Sequence, residues 1–92
     1  MTLTKKQQNL LVQIMRAGSV AREDIKHIYS NQRSFYTAIK FLKDMNLVKQ
    51  EGGKKDRDNA PSYSLTLDGM IFTIMLASLK LPPDQIKEKM DI

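Results

Sequence analysis

Apolar residues recur along this chain with two different periods, and the changes of period mark its elements. Between Thr4 and Ala17, Leu10, Leu11 and Ile14 follow Leu3 at offsets of seven, eight and eleven, which is one face of an amphipathic helix. Thr2 or Thr4 can cap its start, and Gly18 ends it by taking the left-handed conformation cheaply. Val12 and Met15 fall off this stripe. Ser19 is an N-cap for a short second helix from Val20 to Tyr29, with Val20 or Ala21, Ile25 and Ile28 facing inward. Glu23 and Asp24 sit in its first turn, where the helix dipole favours negative charge. Ser30 and Asn31 break the run. A third helix, from Asn31 or Gln32 to Met45, repeats Phe35, Ala38, Ile39 and Leu42 at three- and four-residue steps that must face the core. Asn46 stands where a left-handed residue is expected, followed by Leu47 and Val48.

From Val48 to Leu67 the pattern alternates instead. Val48–Glu51 and Ser62–Leu65 read as two strands of a ribbon, and the polar stretch 52–61 between them reads as a long exposed tip. Thr66 caps a last long helix from Leu67 to Leu81, stopped by Pro82 and Pro83. Residues 84–90 add either a short helical turn or two, or a frayed tail. The last long helix is apolar around almost its whole circumference, and such a helix has to be buried all round. Three short helices and a ribbon cannot cover every side of it, whereas a second copy of the chain can. Met70, Ile71, Ile74, Met75, Ser78 and Leu79 are the expected homodimer contacts; burial wholly inside one monomer is the other reading. The expected organisation is one domain over 1–81, including the dimerisation helix 67–81, and a short tail over 82–92.

Composition narrows the functional classes. A chain of 92 residues without cysteine has no disulfide framework and no thiolate zinc site, and with His27 as its one histidine it has no His-rich metal site. The sequence calls for no cofactor. The first nine residues are polar apart from Met1 and Leu3, so no signal segment is expected there. The stretch from Met70 to Leu81 is interrupted by Thr73, Ser78 and Lys80, and falls short of the roughly 20 apolar residues of a membrane span. A cytoplasmic protein with no membrane partner is expected. The net charge of +5 is unevenly spread. Residues 1–60 hold twelve Lys/Arg against six Asp/Glu, and residues 61–92 three against four. A polyanion-binding part beside a packing part is the simplest reading, although lysines also serve merely to keep a chain soluble.

The order helix, helix, helix, strand, loop, strand, helix, together with three stretches, resembles the winged helix-turn-helix regulators, in particular the small dimeric kinds of the MarR and PadR groups. The stretches are "SVAREDIKHIY" (19–29), "NQRSFYTAIKFLKDMNLV" (31–48) and "YSLTLDG" (63–69). The second resembles the family's recognition helix running into Gly-Leu-Ile/Val, with Asn46 in place of the glycine. The third resembles the Leu-Thr-x-x-Gly that closes the wing. The small size, the lack of cysteine and the short C-terminal helix are also similar to winged-helix proteins of archaeal viruses and plasmids. The implied fold is mainly α with a small β-hairpin (α+β), in the order α-α-α-β-β-α. The implied function is sequence-specific binding of double-stranded DNA by a homodimer in transcriptional regulation.

If Phe35, Ile39 and Leu42 point inward, the outward face carries Gln32, Arg33, Tyr36, Thr37 and Lys40, with Lys43 a turn further on. Recognition helices read bases mainly through their N-terminal half, so the first four are the base-reading candidates. Arg33 suits guanine, Gln32 adenine, and Thr37 a thymine methyl or a phosphate. Lys40 and Lys43 suit phosphate, which fixes register. Lys54, Lys55 and Arg57 at the wing tip suit the minor groove or backbone, partly offset by Asp56 and Asp58. Lys5, Lys6 and Arg22 are further candidates for flanking phosphates. Each polar residue can instead be plain solvated surface, Tyr36 can pack on the protein, and Phe41 is expected against the wing's first strand.

No nucleophile elbow, P-loop or HExxH pattern occurs, so an enzyme is not expected. A winged helix docking an acidic protein partner, or a sequence-indifferent architectural DNA binder, remain alternatives because fold alone does not decide. A small-molecule effector cannot be read from the sequence.

Overall fold

A computed structural model describes residues 3–51 and 61–91. Helix α1 (Lys5–Ala17) opens with a capping box: Thr4 Oγ1 accepts from the Gln7 amide while Gln7 Oε1 accepts from the Thr4 amide. Gly18, at φ 86°, closes it. Strand β1 (Val20–Ala21), a single 3₁₀ turn (Arg22–Ile25), helix α2 (Gln32–Asp44), strands β2 (Val48–Glu51) and β3 (Ser62–Leu65), and helices α3 (Leu67–Ala77) and α4 (Pro83–Met90) follow. The sheet is antiparallel with β3 in the middle, β2 paired through Val48 to Leu65 and β1 through Val20 to Tyr63. This is a winged-helix arrangement of the α+β class.

The segment expected as a second helix, Val20–Tyr29, differs from that expectation. Its first two residues pair with β3, and only one 3₁₀ turn follows. The expected inward residues are inward nonetheless, with Val20 and Ile25 buried and Ile28 half-buried. Strand pairing satisfies backbone groups that a ten-residue helix would otherwise have to satisfy, and β-branched Val20 suits the pleat. Asp24 then accepts from the Ala21 amide at 2.9 Å and starts the turn one residue beyond the strand.

One cluster forms the core. Leu10, Leu11 and Ile14 of α1, Phe35, Ala38, Ile39 and Leu42 of α2, Leu47, Val48, Tyr63, Leu65 and Phe72 are all buried in it. Phe41 packs half-buried against it. Where α2 ends, Asn46 adopts φ 62°. The Leu47 amide donates to the Leu42 carbonyl and the Asn46 amide to Lys43, which is a Schellman closure with asparagine in the left-handed position. The end of α2 is also fastened to the start of α3. Thr66 donates through Oγ1 to the Asn46 carbonyl at 2.6 Å and through its amide to Leu47 at 3.1 Å, and its hydroxyl accepts from the Gly69 amide at 2.9 Å.

Helix α3 stops at Ala77, four residues earlier than the periodicity predicts. A residue before proline is pushed out of the helical region, so Leu81 cannot continue the helix into Pro82, and Lys80 turns the chain at φ 55°. Residues 83–90 form a two-turn helix, the helical one of the two expected outcomes, anchored by fully buried Ile86. Inside one chain α3 is covered on one side only: Gly69, Phe72 and Thr73 are buried. Met70, Ile71 and Ile74 remain exposed, Ile74 by 50%, and beyond the helix Leu79 is exposed by 63%. Of the six expected dimer contacts, only Met75 is half-buried against its own core. None of the helices among the described residues is long and apolar enough to cross a membrane.

Candidate nucleic-acid interface

Helix α2 is locked in rotation by its apolar face. Phe35 and Leu42 are fully buried and Ile39 nearly so, and each such side chain contributes about 1.5–3 kcal/mol relative to exposure. Rolling the helix to hide its polar side would expose all three. Gln32, Arg33, Thr37 and Lys40 are therefore exposed, with Tyr36 exposed by 38%. The start of the helix is fixed by Asn31, whose Oδ1 accepts from the Arg33 amide at 2.8 Å and the Ser34 amide at 3.3 Å.

Five of the expected residues, Gln32, Arg33, Tyr36, Thr37 and Lys40, line one open groove together with Asn31. Lys43 does not line it. It turns toward the wing base, where Nζ lies 3.4 Å from Gln50 Oε1. Lys54, Lys55 and Arg57 lie outside the described residues. Thr37 donates its hydroxyl proton to the Arg33 carbonyl at 2.9 Å, leaving its methyl and its lone pairs for a ligand. Tyr36 packs on the protein and also lines the groove, its ring meeting Phe35 edge-on at 5.1 Å. Phe35 in turn meets Tyr63 at 5.6 Å and Tyr29 at 6.3 Å, so an aromatic cluster underlies the surface. Burial pushes the pKa of the Tyr63 hydroxyl above its ordinary value, and nearby Tyr36 adds to the shift. Tyr29 is raised by burial, partly offset by a hydrogen bond with Thr4.

Arg22 is half-buried and lines a small pocket with Gln32 and Tyr36. Its guanidinium donates to the Ser30 carbonyl at 3.2 Å, its Nε is buried, and it ties the 3₁₀ turn to the start of α2. Lys5 and Lys6, by contrast, lie on a second groove with Arg33 and Thr37. Sequence patterns give no distance between the start of α1 and the start of α2, so this juxtaposition is visible only in the fold.

No family model and no curated protein matches the chain. Solved structures do match it. The fold is similar to that of BpsR of Bordetella bronchiseptica, whose DNA binding is regulated by 6-hydroxynicotinic acid, with a TM-score of 0.70 and 22% identity over 95% of this chain and 60% of BpsR. It is similar to reduced MarR of E. coli at 0.67, with 17% identity over 95% of this chain and 65% of that one. A cysteine-to-serine MarR mutant complexed with operator DNA gives 0.65 and 16% identity, covering 95% of this chain and 64% of that one. The chain thus has the MarR type of winged-helix fold, and it spans less than two thirds of the length of these neighbours.

Proposed function

We propose that the chain binds double-stranded DNA sequence-specifically as a homodimer and acts as a cytoplasmic transcriptional regulator without enzymatic activity. The observation that carries this reading is the exposed set Gln32, Arg33, Tyr36 and Thr37 on the first half of a helix whose opposite face is buried. Side chains of that kind, held by a rigid aromatic base, match the hydrogen-bonding edges of a major groove. Arg33 takes guanine bidentately, Gln32 takes adenine, and Thr37, with its proton committed to the Arg33 carbonyl, offers its methyl to thymine. Lys40 meets phosphate at the groove wall, Lys43 does so from beside the wing, and the wing-tip residues Lys54, Lys55 and Arg57 extend the contact to the backbone or minor groove. A neighbour of the same fold complexed with operator DNA supports the reading.

The exposed side of α3 supplies the dimer contact. A second copy covering Met70, Ile71, Ile74, Ser78 and Leu79, with Met75 at the edge, removes a contiguous apolar surface from water. Two α2 helices then enter successive major grooves about 34 Å apart.

Selection of bound sites from random duplexes at near-physiological salt tests the proposal. The wild type is expected to enrich a roughly palindromic site. Arg33→Ala is expected to lose about 1–3 kcal/mol of discrimination at one position of each half-site, while binding persists. Retention of no duplex by the wild type would contradict DNA binding and favour a protein-docking surface. Retention without enrichment would favour an architectural role.

A further inference from the structure

The second groove runs between the first turns of α1 and α2. Thr4, Lys5 and Lys6 form one wall, and Arg33, Ser34 and Thr37 the other. Among the described residues no carboxylate lines it. Tyr29, a buried residue, lines it together with both helix starts. Lys6 Nζ lies 5.8 Å from the centre of its ring. The groove thus places both lysines beside the start of α2, on the flank of the surface assigned above to DNA. Arg33 and Thr37 belong to both grooves, so the two surfaces are continuous.

The charges here run against local helix electrostatics. Lys5 and Lys6 occupy the first two positions of α1, where the dipole disfavours cations. The first turns of the 3₁₀ segment, α3 and α4 are acidic, with Glu23 and Asp24, Asp68 and Asp84, whereas α2, the other wall of this groove, has no acid in its first turn and carries Arg33 there. The capping box already engages the Gln7 amide, so what this groove presents is side-chain cations on mobile stems. Closely spaced anions at a fixed distance from the recognition surface are the complementary ligand, and a duplex entering at α2 supplies them along its backbone.

We propose that Lys5 and Lys6 form a phosphate clamp that holds the backbone flanking each major-groove segment read by α2. The inference rests on the DNA-binding reading and extends it to the other side of the recognition helix from the wing. The clamp fixes register and adds affinity without reading sequence.

The test compares the salt dependence of binding to a selected duplex for the wild type, for Lys5→Gln/Lys6→Gln, and for a control pair, Arg16→Gln/Lys89→Gln. The control removes the same formal charge from exposed residues, and Arg16 is about 16 Å along α1 from Lys5. Loss of two phosphate contacts per half-site makes the log–log slope shallower by about 1.8 per half-site. For a dimer, raising salt from 50 to 200 mM then costs the clamp variant roughly a hundredfold less affinity than it costs the wild type. The control is expected to keep the wild-type slope, and all three proteins the same preferred sequence and the same circular dichroism melting behaviour. Trimming base pairs outside the recognised segments weakens the wild type and leaves the clamp variant unaffected. A wild-type slope in the clamp variant, or an equal change in the control, overturns the clamp while leaving DNA binding intact. Absence of duplex binding by the wild type overturns both.

Discussion

Gly69 lies where the start of α3 crosses the chain leaving α2, and a Cβ added there would overlap the Leu47 carbonyl. The same carbonyl accepts from Thr66, whose hydroxyl reaches both Asn46 and the Gly69 amide. Four residues thus fasten the end of the recognition helix to the start of the next one, and the Leu-Thr-x-x-Gly pattern acquires a steric reason. Backbone cannot give way as a flexible side chain can, so Gly69→Ala is expected to destabilise the fold by at least about 2 kcal/mol. Urea denaturation measures it, and an unchanged midpoint would show that the crossing is looser than described. Asn46 is the companion case, because it takes the left-handed role that glycine usually fills and adds a 3.3 Å hydrogen bond to Asp68.

At the scale of elements, α2 was legible from sequence because one period fixes both its buried and its exposed face. Phe35, Ala38, Ile39 and Leu42 leave no rotational freedom, and five polar residues follow from that geometry alone. Strand β1 was not legible, since two residues have no period and Val20–Ala21 become a strand only by pairing with Tyr63 and Ser62. The length of α3 was over-read because apolar periodicity runs on through Leu81 while Pro82 and Pro83 end helical geometry earlier. The groove beside Lys5 and Lys6 was illegible for a related reason: it joins two helix starts nearly thirty positions apart in sequence. Helix α3 also carries the element-scale prediction. Ile74 is half exposed in one chain, so Ile74→Glu leaves the monomer fold intact. Burying that carboxylate against a second copy is expected to raise the dimer dissociation constant at least about 30-fold, as loss of a central interface contact does. Sedimentation velocity over a concentration series decides it, and indifference of the assembly to this change would place the contact elsewhere.

For the whole molecule, charge and greasiness divide as function would require. The first two thirds hold the basic excess and the last third the uncovered apolar surface. The proposed dimer requires both α2 helices on one side of the assembly, each with Lys5 and Lys6 beside it. With three to five phosphate contacts in each half, affinity is expected to fall with salt with a log–log slope of roughly −5 to −9.

Guanine N7 methylation protection on a selected duplex tests the central claim most directly, since N7 lies on the floor of the major groove. The account expects two protected tracts centred about one helical turn apart on one face of the DNA, both lost with Arg33→Ala while the protein remains bound. Tight binding that leaves every guanine N7 open to methylation would mean that another surface, and not the outward face of α2, meets the DNA.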